Sequence, residues 1–233
     1  MARERVVAQR DPEVVRYRPE RFETLERKRA RAAPFLHAAP PGSVVYGSVA
    51  RGDVRERSDV DIEVPFGATS FAVEVALAGL PEGAHAVVLT QATPNSVVKA
   101  AWDYGDVTVT LPLTRPSGVE VGFTRFAGAM GATDLSRGRR VPGVDKRLML
   151  IEPLPEGHRE SSVADRVREC ARLLALDEDV LQARIRVLGR RARTGRTGIF
   201  LTRAVNDGES PEQALARVSA SNPAVRRAVG GRP

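Results

Sequence analysis

Strict alternation of charged and apolar residues over Asp59–Val64 (DVDIEV) constrains this 233-residue chain more than any other stretch. A period of two belongs to a β-strand with one buried face. Val60 and Ile62 therefore face a core, and Asp59 and Asp61 point together from the opposite side. The apolar run Ser43–Val49 (SVVYGSV), rich in β-branched residues, predicts a strand just upstream. Pro19–Ala33 reads as a helix with proline in its first turn and Phe22 and Leu25 at helical spacing, and Pro40-Pro41-Gly42 breaks it. A second helix is expected over Ser70–Leu80, with Phe71, Val75 and Ala78 inward. Further strands are expected over Ala84–Thr90, Val107–Leu113 and Val119–Phe126, the last two joined by a turn at Pro116-Ser117-Gly118. Helices mixed with a run of strands predict an α+β fold.

Charge divides the chain unevenly. Residues 1–40 carry 10 basic and 6 acidic side chains, residues 41–158 carry 11 and 14, and residues 159–233 carry 15 and 9. The overall excess of +7 therefore lies at the two ends, and carboxylates collect in the middle. Basic flanks around an acidic centre suit a metal-dependent enzyme acting on a polyanion. Arginine outnumbers lysine 33 to 3, and its planar fork suits phosphate. One cysteine, Cys170, excludes an internal disulfide framework and a cysteine-based zinc cluster. Its place on an apolar stripe makes it a core residue rather than a nucleophile. The opening MARERVV lacks the apolar core of a secretory signal, and the longest stretch free of charge, Ala32–Ala50, holds three prolines and two glycines. A soluble, cytoplasmic protein with no membrane span is expected.

The last third has its own pattern. Ser161 or Ser162 can cap a helix whose stripe is Val163, Val167, Cys170, Leu173 and Leu174. After Leu176–Asp179, a second helix over Val180–Arg193 turns Val180, Leu181, Ile185 and Leu188 inward and Arg184, Arg186, Arg190, Arg191 and Arg193 outward. Thr194–Thr202 then reads as a tight turn and a short strand. Helix, turn, basic helix and ribbon are the order of a winged helix-turn-helix, with those arginines and Arg196 on phosphates of RNA or DNA. Two domains are therefore expected, 1–157 and a basic 158–233. Between them, Lys146 and Arg147 precede an apolar strand over Leu148–Ile151; a structural strand is the favoured reading, and closure over a nucleotide or contact with an acceptor backbone is the alternative for these two residues.

The chemistry concentrates in Gly47–Glu63 (GSVARGDVRERSDVDIE), where ten residues separate Ser48 from Asp59. Two carboxylates on one strand face repel each other unless a cation lies between them, and hard oxygen ligands suit Mg²⁺, or Mn²⁺. Gly47 lets backbone approach a phosphate, and Ser48 adds a hydroxyl and an N–H. No Gly-Lys dipeptide occurs, which excludes a P-loop.

Gly-Ser, a ten-residue spacer and Asp-Val-Asp-Ile-Glu together resemble the signature of the DNA polymerase β nucleotidyltransferase superfamily, over about residues 19–128. Residues 140–152 and the ARIRVLGRRARTGRTGIFL region are similar to archaeal proteins that join such a domain to a helix-turn-helix-like tail. The resemblance implies a polymerase β-like domain in which Asp59 and Asp61 bind two metal ions and Gly47 and Ser48 orient an NTP. Of Arg51, Arg55 and Arg57 on the connecting loop, any of which would neutralise triphosphate charge, Arg51 is favoured because it sits nearest the Gly-Ser turn. It also implies a third carboxylate on a neighbouring strand. Glu120 is the candidate, an alternative alignment puts Gly122 there, and Asp106 and Asp103 are the fallbacks. The implied activity is transfer of a nucleoside monophosphate to a hydroxyl acceptor, RNA (tRNA included) or DNA. The alternatives are a nucleic-acid-binding regulator whose transferase fold has lost turnover, and an interaction module of a toxin–antitoxin-like pair. Oligomeric state is open.

Overall fold

In a computed structural model, residues 11–164, 166–194 and 198–230 are described. Strand β1 (Glu13–Arg16) leads into helix α1 (Pro19–Ala38), followed by β2 (Val44–Tyr46), α2 (Ser48–Arg51), β3 (Val60–Glu63) and α3 (Ser70–Leu77). Strands β4 (Ala86–Gln91), β5 (Val98–Asp103) and β6 (Val107–Pro112) precede α4 (Gly118–Val121), α5 (Phe123–Ala127), β7 (Ala129–Met130) and α6 (Ala132–Ser136). The chain then forms β8 (Gly143–Val144), β9 (Met149–Leu154), β10 (Gly157–Ser162), α7 (Val167–Leu174), α8 (Glu178–Thr194), β11 (Leu201–Ala204), α9 (Pro211–Ser221) and α10 (Pro223–Val229). The α+β class expected from the sequence is what forms.

Seven strands make a mixed sheet in the order β11-β4-β5-β6-β3-β2-β7, in which only β3 and β6 run parallel. The alternation of DVDIEV sets β3 as expected, with Val60 and Ile62 fully buried. That apolar face, with Val45, Val107, Val109 and Leu111, packs on Leu25, Phe35 and Leu36 of α1, Val73 and Leu77 of α3, and Leu215, Val218 and Val225 of α9 and α10. The opposite face of the central strands carries Asp61 and Glu63 on β3, Thr108 and Thr110 on β6, and Lys99 on β5. A second sheet, β1-β10-β9-β8, is antiparallel, and Leu150 from it joins Phe126, Cys170, Leu174, Leu181 and Leu188 in a second cluster.

Four expectations change. The inner side of α3 is Ser70, Val73 and Leu77, whereas Phe71 and Val75 are exposed. Thr69 caps the helix by accepting from the Ala72 N–H, and this start, with β3 before it, turns the other stripe to the sheet. Val119–Phe126 is two short helices rather than a strand, because Ser117 and Glu120 form a reciprocal capping box where a hairpin turn was expected. Among the described residues no wing is seen beside α8. β11 pairs with β4 at the edge of the large sheet, and β10 pairs with β1, so both strands after residue 157 build sheets with strands before it. Helix α8 falls close to its expected bounds, but α7 starts only at Val167, after Arg166, because Ser161 and Ser162 are strand residues of β10 rather than caps, and Leu173 is exposed instead of lying on the inner stripe. Among the described residues no helix is long and apolar enough to cross a membrane.

Candidate active site

β2 runs antiparallel to β3 with Tyr46 opposite Asp61, so the corner that follows Tyr46 adjoins the start of β3. There Gly47 adopts φ 84° and ψ −146°, a conformation that a side chain disfavours, and its N–H donates to the Gly128 carbonyl at 2.9 Å. Nothing lies within 4 Å of the point where a Cβ would stand, so the corner is open on that side. Ser48 begins α2 and is half-buried. The expected strand over Ser43–Val49 is thus shorter, and the Gly-Ser pair forms the strand-to-helix corner itself.

Asp59 is exposed just ahead of β3, and Asp61 is half-buried within it. Among the described residues neither carboxylate accepts a hydrogen bond or an ion pair, unlike most of the acids around them. Glu63, next on the same face, pairs with Lys99 of β5. Burial pushes the Asp61 carboxyl above its ordinary range, and the charge of Asp59 pushes it further, while Lys146 and Lys99 oppose the shift. The two carboxylates are therefore close enough to repel, and a cation between them would relieve both costs. On the neighbouring strand Thr108 and Thr110 stand beside Asp61 and Glu63, and the Thr110 hydroxyl donates to the Ile62 carbonyl at 3.1 Å.

This donor set fits a hard divalent cation. Among the described residues no three His, Cys, Asp or Glu side chains form a metal cage. A cation held by Asp59 and Asp61 would take its remaining ligands from water and substrate oxygens, the usual habit of Mg²⁺.

No family model, curated protein or solved structure matches the chain. The site is therefore defined by its own geometry.

Several expected site residues lie elsewhere. Glu120 is not beside the aspartates: one carboxylate oxygen accepts from the Ser117 N–H (2.9 Å) and hydroxyl (2.8 Å), and the other from the Val97 N–H (2.7 Å). Gly122 packs under α8, where a Cβ would meet Val180 at 2.9 Å. Asp106 points to α1, with Arg31 at 2.9 Å and Lys28 at 3.8 Å. Asp103 shares the face of Asp61 but lies two strands away, beyond Thr108, a separation of roughly 10 Å. Its carboxylate accepts from the Gly105 N–H at 2.8 Å. Arg51 is no free phosphate ligand. It is buried, bidentate to Asp53 at 2.9 and 3.0 Å, and donates to the Ala127 carbonyl at 2.6 Å.

On α8, Arg186, Arg190 and Arg193 are exposed as expected. Arg184 is half-buried instead, its guanidinium 4.4 Å from the Phe123 ring centroid and 5.7 Å from that of Phe126, so it fastens α8 to α5. The Arg191 side chain and Arg196 lie outside the described residues. Cys170 is fully buried, and burial pushes its thiol up to about 11, which suits a core residue.

Sequence reasoning passed over Glu63 and Lys99, and for Lys146 it favoured a structural strand over contact with a nucleotide or acceptor. The DVDIE alternation already carried the signal for Glu63, since it continues the face of Asp59 and Asp61. The two lysines were marked by their rarity among 33 arginines. A surface cleft of about 650 Å³ lies far along the sheet, between β4, β11 and α9. Of its acids, Glu209 is paired with Arg217, and the cleft has no part in the carboxylate geometry.

Proposed function

We propose that this chain is a divalent-cation-dependent nucleotidyltransferase, moving a nucleoside monophosphate from an NTP to a hydroxyl acceptor. The observation that carries the reading is the pair Asp59 and Asp61, without protein partners among the described residues and beside the open Gly47–Ser48 corner. A polymerase β-like arrangement, with its strand–corner–strand order, is part of this proposal.

Asp59 and Asp61 would hold Mg²⁺, with Mn²⁺ as a substitute of the same oxygen preference. When bound, the ion supplies positive charge to phosphate oxygens that gain charge in the reaction. Ser48 donates to phosphate oxygens, and the glycine before it leaves room for them. The acceptor oxygen bonds to the α-phosphorus, the bond from the α-phosphorus to the α–β bridging oxygen breaks, pyrophosphate departs with that electron pair, and the hydroxyl proton passes to solvent water. Arg186, Arg190 and Arg193, exposed on α8, support a nucleic-acid acceptor, RNA or DNA, gripped through its phosphates.

One observation favours a second reading. The β6 residues beside Asp61 and Glu63 are threonines, where the resemblance calls for a carboxylate. A protein that binds a nucleotide and nucleic acid and transfers nothing would fit that replacement. The test is incorporation of α-labelled NTPs into total RNA with Mg²⁺ or Mn²⁺, comparing wild type with the Asp59→Ala, Asp61→Ala double variant. Label that survives the double change refutes the site. Nucleotide binding with no incorporation into RNA, DNA or small hydroxyl acceptors selects the regulator.

A further inference from the structure

The hairpin between β8 and β9 is locked around one exposed charge. Asp145 Oδ1 accepts from the N–H groups of Arg147 (2.8 Å) and Met149 (3.0 Å), and the Leu148 N–H donates to the Asp145 carbonyl at 3.1 Å. Leu148 is buried with φ 64°, a left-handed conformation that costs a residue with a side chain on the order of 1 kcal/mol. Strain of this kind persists only where the surroundings over-determine it, and it gathers at functional sites. Arg147 is held on both sides, by Asp145 at 2.6 Å and Glu160 at 2.5 Å. Between these paired groups Lys146 is exposed and, among the described residues, forms no ion pair.

The base of the hairpin is clamped to the Gly47–Ser48 corner. Gly143 packs so closely that a Cβ there would stand 2.5 Å from the Gly128 nitrogen, and the Gly128 carbonyl accepts from the Gly47 N–H. Three residues on, Lys146 is exposed on the turn of this hairpin, whose base lies against the corner that adjoins Asp61. Composition sharpens the point. Of the three lysines, Lys28 is paired with Asp106, Lys99 shares the sheet face of Asp61, and Lys146 stands on this hairpin. Lys99 is neutralised by Glu63, which leaves Lys146 as the one uncommitted lysine at the site.

We propose that Lys146 is a phosphate-binding residue of this site, its ammonium holding the triphosphate of a nucleotide beside the cation on Asp59 and Asp61. Two carboxylates match one divalent cation and leave the triphosphate's own charge uncompensated. An ammonium on a rigid turn supplies positive charge where a fuller set of carboxylates would recruit a second ion. The inference takes the nature of the ligand from the nucleotidyl-transfer reading and adds a residue that the motif does not include.

The test measures two ligands on the full chain: Mg·ATP by calorimetry, and Mn²⁺ alone by the electron paramagnetic resonance of the free ion. Lys146→Ala should weaken Mg·ATP binding on the order of ten- to hundredfold, the worth of a charge-assisted contact. The same change should leave Mn²⁺ binding unchanged or tighter, because a repelling charge beside Asp61 is gone. Misfolding cannot produce that pair of results. Lys146→Arg should stay within about threefold of wild type for Mg·ATP, since charge is kept. The Asp59→Ala, Asp61→Ala double variant should lose both ligands. If Lys146→Ala binds Mg·ATP like wild type while the double variant does not, the role of Lys146 is overturned and the nucleotide site stands. If wild type binds Mn²⁺ without Mg·ATP, both proposals fall.

Discussion

Asp61 carries a cost that its neighbours do not. The carboxyl's ordinary value is 3.8, and in the folded chain burial first and Asp59 second raise it. The native protein therefore keeps a proton on Asp61 through a window, opening near pH 3.8 and closing at the raised value, in which the unfolded chain has released it. Stability falls as pH rises through that window and stays lower above it. Asp61→Asn removes the charge and keeps the shape. The variant should be more stable than wild type at pH 7 by about 1 kcal/mol, the common magnitude where a functional group is held at the expense of stability. The gap should close toward pH 3. Thermal unfolding in chelator at both pH values measures this, and a variant no more stable than wild type at pH 7 would remove the case for a strained carboxylate. With Mn²⁺ added the order should reverse, because only wild type gains from the ion.

At the scale of elements, Glu120 shows why part of the site was illegible. Charged and apolar residues alternate in Val119-Glu120-Val121 as they do in Asp59–Val64, and both stretches read as strands. What separates them is Ser117, three residues before Glu120, whose N–H and hydroxyl both reach the Glu120 carboxylate. That local box outweighs the two-residue period over so short a stretch. Glu120→Ala should then cost about 1–2 kcal/mol in thermal or denaturant unfolding, because the α4 cap and the Val97 N–H lose their acceptor. Mn²⁺ affinity should not change. A loss of Mn²⁺ binding without a loss of stability would return Glu120 to the metal site.

Helix α3 repeats the lesson. Ser70–Leu80 offers two apolar stripes, Phe71–Val75 and Val73–Leu77, and sequence periodicity cannot choose between them. The cap at Thr69 and the run of chain from β3 make the choice. Leu77→Ala should cost about 2–5 kcal/mol, the range for a buried leucine. Phe71→Ser, at a position 72% exposed, should cost within about 0.5 kcal/mol. The reverse ranking, in denaturant titrations, would show that the other stripe faces the sheet. By contrast β3, the Gly47–Ser48 corner and α8 were legible, because in each the local pattern and the tertiary surroundings ask for the same conformation.

For the whole molecule, composition divides the chain near residue 158 and packing does not. The basic last third was legible as a chemical segment, yet its strands complete sheets begun elsewhere: β10 lies between β1 and β9, and β11 borders β4. Long-range pairing of this sort leaves no local trace in a sequence. Leu215, Val218 and Val225 enter the same core as Leu25 and Phe35. Burying each contributes about 1.5–3 kcal/mol, and together they rival a typical net stability of about 5–15 kcal/mol. A fragment ending at residue 157 would also leave β1 without its partner and one edge of β9 open. It should therefore show no cooperative thermal transition by circular dichroism, whereas the full chain melts in one. A fragment 1–157 that unfolds cooperatively near the full chain's Tm would establish two independent domains. It would also free the segment after 158 to act as a separate reader of nucleic acid, and under the interleaved packing that reading requires α8 to work from a surface fastened to α5 through Arg184 and Phe123.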